Sequence, residues 1–564
     1  MIVKKTIKIL SNNGKEVRGK MIIKPLQVIP KKWQPSITFD LPELQFPEEF
    51  NFTEELLERR LEFTRDRVAI LYLDEQITYG EIAKRVNKFA NVLQNLGIGH
   101  GDVVMLRIPD CPEFVVCSLA VHKVGAVWLP TVPLLREKTI TYIAAKAKAK
   151  MLIVAEEVLE EVEKGRDKLT TIEKFIAVDR KQGAELKRKG YLLYRELMAT
   201  ASEEVVGVKV HRDELAVITF TGGTTGTPKG LMHDASALLA VTTNSLCLYP
   251  PDFGPGDVVA GTPPLAFTFG YIHKMLIPFL LGATVAYIFG RATVESCFEI
   301  IQKHKVTGWW AAPAMFKMML DYPRWNDYDL SSVKIFYSSS AAILPNIIEQ
   351  WKRRYERTIV NLMGSNETLG SFIATWHAPF KPGSLGYPYP GYRLAIIDKE
   401  GNELKRGEVG LLGIKGPTGP MLLDDLEGQK KAVINGWGLT GDSAYIDEDG
   451  CFWHTSRADD VIKSRGYRVS PEEVENTLTE HPAVKEAAVI GIPDEVKGQA
   501  VKAYVVLRAK EEASEELAQK IKDFARERLA PYMGPHEIEF TGEIPKTELL
   551  KINRKALREL SAKK

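Results

Sequence analysis

Residues 219–230 read Thr-Phe-Thr-Gly-Gly-Thr-Thr-Gly-Thr-Pro-Lys-Gly, a composition suited to holding phosphate. Gly222, Gly223 and Gly226 allow sharp turns and close backbone approach, so that successive N–H groups can form an anion cradle. Thr221, Thr224, Thr225 and Thr227 add hydroxyl donors around it, and Lys229 adds a positive charge. The Walker pattern requires Gly-Lys followed by Ser or Thr; here Pro228 precedes the lysine and Gly230 follows it, so this is a different phosphate loop. A flexible Thr/Gly surface turn is the alternative. The apolar run from Leu215 to Phe220 favours the cradle, because it reads as a buried strand that feeds straight into the loop.

The elements that must position such a loop follow from the same kind of pattern. From about residue 65 to 340, apolar β-rich runs (Ala69 to Leu73, Val103 to Ile108, Met151 to Val154, Leu215 to Phe220) alternate with helix-like segments such as Tyr79 to Leu96. This predicts an α/β fold, a large N-terminal domain of doubly wound sheets. From about 383 to 455 short strands punctuated by Gly and Pro predict a small β-rich subdomain. After Arg457 comes a unit of ordinary domain size with α+β texture. Ser470-Pro471-Glu472-Glu473 opens its first helix as a capping box, strands follow near Ala487 to Ile490 and Ala503 to Leu507, and a charged helix runs from Ser514 to Leu529.

With 564 residues the chain exceeds one core. Its 75 basic and 73 acidic side chains leave a formal net charge of +2, which favours neither nucleic acid nor an anionic membrane as partner. Five scattered cysteines without a metal-type pair point to a reducing compartment, with the cytoplasm as the default. The stretch from Met275 to Gly290 is about sixteen residues, short of the ~20 a bilayer span needs, and reads as a buried helix, a glycine stop and a buried strand. The N-terminus lacks the apolar run of a signal peptide.

Several further motifs follow the loop in order: Pro263-Pro-Leu-Ala-Phe-Thr-Phe-Gly270, Gly364-Ser365-Asn366-Glu367, Trp437-Gly-Leu-Thr-Gly-Asp442, Ser456-Arg-Ala-Asp-Asp-Val-Ile-Lys463, Gly466-Tyr-Arg468, and Pro545-Lys-Thr547 followed by Lys551. With them the chain resembles the AMP-forming acyl-CoA synthetase, or adenylate-forming, superfamily from about residue 50 onward. The resemblance implies a domain 1–458, containing the β-rich subdomain, and a mobile C-terminal domain 459–564 that turns about Asp459. It also implies a two-step reaction with ATP, Mg²⁺ and CoA.

The same resemblance assigns the residues. The loop Thr221 to Lys229, the segment Ser339, Ser340 and Ala341, and Gly364, Ser365 and Asn366 would surround the nucleotide. Glu367, with Thr225, would hold Mg²⁺, since a hard cation among phosphates prefers oxygen ligands. Asp442 would accept both ribose hydroxyls. Arg457 would contact the nucleotide, and Lys551 would stabilise the adenylation transition state. Taken alone, Asp442 reads equally as a turn aspartate and Lys551 as a solvated helix face. Lys463, Ser464, Gly466, Tyr467 and Arg468 would form the face that meets CoA. Phe267, Phe269, Gly270, Trp310, Met363 and Gly364 would line the acyl pocket, with Ala341 as a further wall.

Four positions depart from the family pattern: Gly222 for serine, Asn366 for threonine, Ser456 for glycine, and Leu549-Leu550 for a Ser/Thr-Gly pair. Asn366 retains an amide that can donate to phosphate. Short-chain members carry tryptophan at the position of Gly364, so the glycine predicts an open pocket for acids of four or more carbons: medium-chain, hydroxy or aryl. The flavour is that of medium-chain and aminobenzoate-type CoA ligases and of archaeal 4-hydroxybutyrate-CoA ligases, which makes 4-hydroxybutyrate a candidate substrate. An amino-acid adenylating enzyme and a non-catalytic nucleotide-binding relative are the other readings. Whether the chain forms a homo-oligomer is left open.

Overall fold

The computed structural model describes residues 8–10, 16–18, 22–181, 183–221, 228–340, 343–376, 381–457, 460, 462–464, 467–494, 498–508, 511–529, 533–546 and 552–562. The chain divides into two compact units, Met1–Ala378 with Pro388–Arg393 and Lys415–Gly438, and Pro379–Tyr387 with Leu394–Ile414 and Leu439–Lys564.

The first unit is built on two twisted sheets. One runs in the order Leu192–Leu193, Lys174–Val178, Met151–Ala155, Val103–Arg107, Val127–Pro130, Leu215–Thr221, Lys229–Asp234, parallel throughout except for the last, antiparallel pair. The other runs Ser371–Ala374, Ile359–Gly364, Ile335–Ser338, Gly308–Ala311, Val258–Gly261, Thr284–Tyr287, Val68–Tyr72, Glu75–Thr78, with antiparallel pairs only at the two ends of this series. Parallel strands covered on both faces need continuous apolar runs, and Met151–Ala155 is buried at every position. The crossover helices start where the sequence supplies caps. Thr78 accepts from Glu81 N–H, Asp234 accepts from Ala237 N–H, and Thr293 forms a capping box with Ser296. Pro112, Pro313 and Pro345 open three more helices, in the first turn where a missing N–H costs nothing.

The stretch from Met275 to Gly290 matches its reading: helix through Leu281, Gly282 at φ +69°, then the strand Thr284–Tyr287. Among the described residues no helix is long and apolar enough to cross a membrane.

The second unit contains strands of the Gly- and Pro-rich region, including Phe452–Arg457 antiparallel to Trp437–Ile446, and the α+β C-terminal part. In the latter, the strands near 487 and 503 extend to Val484–Asp494 and Gly498–Leu507 and pair over their whole length. Their side chains alternate between two cores. Ala487, Val489, Val501, Ala503 and Val505 pack with Val474, Leu478 and Ile521, whereas Ala488, Ile490, Tyr504 and Val506 pack with Ile544 and Leu557. Ser470 caps its helix by accepting from Glu473 N–H, and Ser514 caps Glu515–Arg528.

Close backbone approach explains two first-unit glycines. A Cβ on Gly261 would overlap the Trp310 carbonyl oxygen in the neighbouring strand, and one on Gly270 would overlap the Pro264 carbonyl oxygen. Gly261→Ala should therefore destabilise the first unit by about 2–4 kcal/mol, seen as a lower thermal midpoint. An unchanged midpoint would show that the two strands separate freely.

Candidate active site

Leu215–Thr221 and Lys229–Asp234 form a hairpin in which Phe220 lies opposite Gly230 and Thr221 opposite Lys229. The glycine- and threonine-rich loop thus leaves and re-enters the sheet at one point, with exposed Lys229 at its base. Gly222, Gly223, Thr224, Thr225, Gly226 and Thr227 lie outside the described residues. In the second strand of this hairpin, His233 is fully buried with Nε2 3.3 Å from Thr219 Oγ1. Burial lowers its pKa to about 3, so it is neutral.

The other nucleotide candidates of this unit stand at the carboxyl ends of parallel strands, where open α/β sheets bind ligands. Ser339 and Ser340 follow Ile335–Ser338, and Ser340 has φ +79°, a conformation costly for a residue with a Cβ. Ala341 lies outside the described residues. Gly364 ends the adjacent strand, Ser365 follows, and a single 3₁₀ turn, Asn366–Thr368, carries half-buried Glu367. Thr368 Oγ1 donates to Gly370 O (2.8 Å) and closes this turn.

Asn366 joins three segments that the sequence keeps far apart. Its Nδ2 donates to Phe220 O (3.2 Å), at the base of the hairpin, and its Oδ1 accepts from Thr268 Oγ1 (3.4 Å). The amide expected to face phosphate therefore spends its carbonyl and one N–H on the protein. Its role here is to hold the Glu367 turn against the hairpin.

A correction concerns Gly364. A Cβ there would lie 2.6 Å from Gly370 O and 2.8 Å from Ser371 Cα, so backbone, not pocket, occupies that direction. The glycine is needed because Ile359–Gly364 and Ser371–Ala374 come together through a register shift between Met363 and Gly364. A tryptophan at this position would first have to displace residues 370–371.

The aromatic candidates are set by the segment 261–276. Asp110 accepts from Leu265 N–H (2.7 Å) and from Lys274 Nζ (2.6 Å), and Lys274 Nζ also donates to Gly261 O (3.0 Å). Lys274 is buried, so this ion pair with its added hydrogen bonds is satisfied in low dielectric. Between these anchors, Thr268–Tyr271 starts a helix that widens to a π-turn over Ile272–Leu276 and continues as Ile277–Leu281. Ile277 N–H reaches back to Ile272 O, and Pro278 has no N–H to offer Lys274 O, which accepts instead from Tyr287 Oη (3.2 Å).

Phe267 and Phe269 are half-buried, as is Met363. Trp310 is fully buried and sandwiched, with Tyr337 at 3.8 Å between ring centroids on one contact and His273 at 4.0 Å on another. Phe269 meets Trp310 edge-on at 5.6 Å. His273 carried no signal in the sequence; its contacts lie across strands and helices.

In the second unit, Asp442 is buried on Trp437–Ile446, and its backbone lies in register with that of Arg457 on the neighbouring strand. His454, also unforeseen, stands between two carboxylates: Nε2 is 3.3 Å from Asp442 Oδ1 and Nδ1 is 2.9 Å from Glu472 Oε2. Burial opposes a charge on the ring, but the hydrogen bonds to Asp442 and Glu472 and their negative charges prevail and raise its pKa to about 10. At neutral pH it is an imidazolium donating from both nitrogens.

Lys463 pairs with Arg468 and Ser464 with Tyr467 in the hairpin Ile462–Ser464/Tyr467–Val469. Asp459, Gly466, Lys551 and the Leu549-Leu550 pair lie outside the described residues. The flanks of Lys551 are defined: Lys546 and Ile552 bridge antiparallel, and Asn553 N–H donates to Pro545 O (2.8 Å). Arg554 then pairs with buried Glu475 through both carboxylate oxygens at 2.7 Å, which anchors the last helix.

Comparison with known proteins agrees with this arrangement. A family model described as AMP-binding enzyme matches residues 57–422, and one described as AMP-binding enzyme C-terminal domain matches 473–551. The acetyl-coenzyme A synthetase of Bacillus subtilis (strain 168) is 32% identical over 522 residues, covering 90% of each chain. The mitochondrial acyl-coenzyme A synthetase ACSM3 of Homo sapiens is 31% identical over 542 residues, 91% of this chain and 90% of its own. Among solved structures, the anthranilate CoA ligase AuaEII in complex with anthranoyl-AMP aligns with a TM-score of 0.85 at 29% identity, over 93% of this chain and 100% of that one. The fold is that of the adenylate-forming enzymes. The chain belongs to the AMP-binding enzyme family, as an AMP-forming acid–thiol ligase of the acyl-CoA synthetase kind.

The His454 bridge makes a pH-dependent contribution. Because its folded pKa lies above the unfolded value of about 6.5, the stabilisation is complete below pH ~6.5 and lost as pH rises through about 10. The difference in thermal midpoint between wild type and His454→Phe should therefore be largest near pH 6 and shrink toward pH 10. A difference that stays constant across this range would mean that the imidazolium is not formed.

Proposed function

We propose that the protein activates an aryl, medium-chain or hydroxy carboxylic acid in two steps. The acid's carboxylate oxygen attacks the α-phosphorus of ATP and expels pyrophosphate, giving an acyl-adenylate; the thiolate of CoA then attacks the acyl carbonyl and expels AMP. Neither step needs a covalent protein nucleophile; both need charge neutralisation and positioning. The observation that carries this reading is Asn366, whose side chain fastens the Glu367 turn to the base of the phosphate hairpin.

In this reading the loop Thr221 to Lys229 holds the departing pyrophosphate, with Ser339 to Ala341 and Gly364 to Asn366 around the nucleotide. Glu367, with Thr225, supplies protein oxygen to Mg²⁺. Among the described residues no cluster of three His, Cys, Asp or Glu side chains is placed to hold a metal. That suits Mg²⁺, which takes one or two protein oxygens and otherwise phosphates and water, and when bound it neutralises phosphate charge. Asp442 binds the ribose, Arg457 the nucleotide, and Lys551 the adenylation transition state. The C-terminal domain, turning about Asp459, then presents Lys463, Ser464, Gly466, Tyr467 and Arg468 to CoA.

The acyl chain lies against Phe267, Phe269, Gly270, Trp310 and Met363. The half-burial of Phe267 and Phe269 and the likeness to a ligase crystallised with anthranoyl-AMP support an aryl, medium-chain or hydroxy acid, with 4-hydroxybutyrate as a candidate. All five cysteines are free, in keeping with a cytoplasmic setting.

Release of AMP and pyrophosphate across a panel of acids, with and without CoA, tests the reading. Turnover should require both an acid and CoA; release with amino acids alone would indicate a different adenylating enzyme, and binding of ATP without release a non-catalytic relative. Lys551→Ala should lower acid-dependent ATP–pyrophosphate exchange by about 100-fold, while thioester formation from supplied acyl-adenylate continues. Unchanged exchange would remove Lys551 from the first step.

A further inference from the structure

His273 lies on the π-turn, fully buried, with Trp310 stacked at 4.0 Å and Phe269 edge-on at 5.6 Å. Among the described residues neither Nδ1 nor Nε2 has a hydrogen-bond partner. The indole Nε1 of the stacked Trp310 is likewise without a hydrogen-bond partner among the described residues. The His273 carbonyl accepts from Tyr249 Oη (3.4 Å), and Lys274 next to it is engaged by Asp110 and Gly261. A buried polar ring with both nitrogens unused loses its water without compensation, and such groups call for an explanation. The apolar alternative was open to this position: a phenylalanine would stack on Trp310 without that cost.

Burial lowers the pKa of His273 to about 3. The ring is therefore neutral, with one N–H to donate and one lone pair to accept. A hydroxyl matches it, because it also donates once and accepts. An ammonium or a second carboxylate matches poorly, since each would bring an uncompensated charge into a site walled by aromatic rings.

We propose that His273 is a specificity-determining residue of the acyl site, and that it hydrogen-bonds a hydroxyl on the chain of the acid, which makes the substrate a hydroxy acid. This rests on the acid-activating function proposed above and on the acyl chain lying against Phe269 and Trp310. It names a polar contact in a set of walls that is otherwise aromatic and aliphatic.

The test compares acids that differ only in a terminal hydroxyl: butyrate with 4-hydroxybutyrate, valerate with 5-hydroxyvalerate, and hexanoate with 6-hydroxyhexanoate. The readout is kcat/KM for acid-dependent ATP–pyrophosphate exchange. Wild type should favour the hydroxy acid by about tenfold or more in at least one pair, because a site built to pair a hydroxyl is left unpaired by the analogue lacking it. His273→Phe should bring that ratio close to one, and His273→Gln, which keeps a donor and an acceptor, should retain part of it. A purely structural role would lower both members of a pair together and leave their ratio unchanged.

If wild type shows exchange but no hydroxy preference in any pair, the inference is overturned and acid activation stands. A ratio that survives in His273→Phe overturns it equally. Absence of exchange with every acid would instead refute the proposed function, and the inference with it. The wild-type ratios are decisive even if His273→Phe does not fold.

Discussion

Lys274 and Asp110 form the contact on which the aromatic segment of the first unit depends. A lysine this deeply buried is tolerated only because its ammonium meets a carboxylate and a carbonyl together. The same carboxylate takes the Leu265 amide. One ion pair thus fixes both ends of the segment that presents Phe267, Phe269, Gly270 and His273, and it ties that segment to the turn after Val103–Arg107, in the other sheet. Removing either partner alone would leave a buried charge uncompensated, so the segment and the pair stand or fall together.

The Glu367 turn is held by a weaker and more local device. Asn366 spans the two sheets with one neutral amide, reaching the hairpin through Phe220 O and the aromatic segment through Thr268. Neutral hydrogen bonds contribute about 0.5–1.5 kcal/mol each. Their importance lies in geometry: the carboxylate of Glu367 follows directly in a single turn whose other end is closed by Thr368. In the second unit, His454 performs a comparable service for Asp442, with charge in place of a neutral amide.

Features set by short-range chemistry were legible in the sequence. The strand Leu215–Thr221, the glycine stop at Gly282 and the caps at Ser470 and Ser514 each follow from neighbouring residues, and the structure has them where the sequence places them. Features set by a partner across the fold were not. Gly364 was read as room for an acyl chain, but its reason is the approach of residues 370–371, which depends on a strand register that no local pattern reveals. Asn366 was read for a donor toward phosphate, and the structure adds two protein partners, 146 and 98 positions away, that the sequence did not reveal. His273 and His454 were passed over because a lone histidine acquires meaning only from what surrounds it, here Trp310 in one case and Asp442 and Glu472 in the other.

The π-turn at Ile272–Leu276 has a consequence for how the aromatic set can vary. A wide turn accommodates one residue more than an α-helix over the same rise, so a one-residue deletion within it would leave both flanks near their present phase, whereas a deletion elsewhere in the helix would rotate one side relative to the other by about 100°. Gly270 and Phe269 on the amino-terminal side and Phe279 on the carboxyl-terminal side would then no longer share the phase they have now. The identity of each side chain in this helix can drift one at a time, and the wide turn is where its length can change by one residue without that rotation, keeping the end that carries Phe269 in register with the end that carries Phe279.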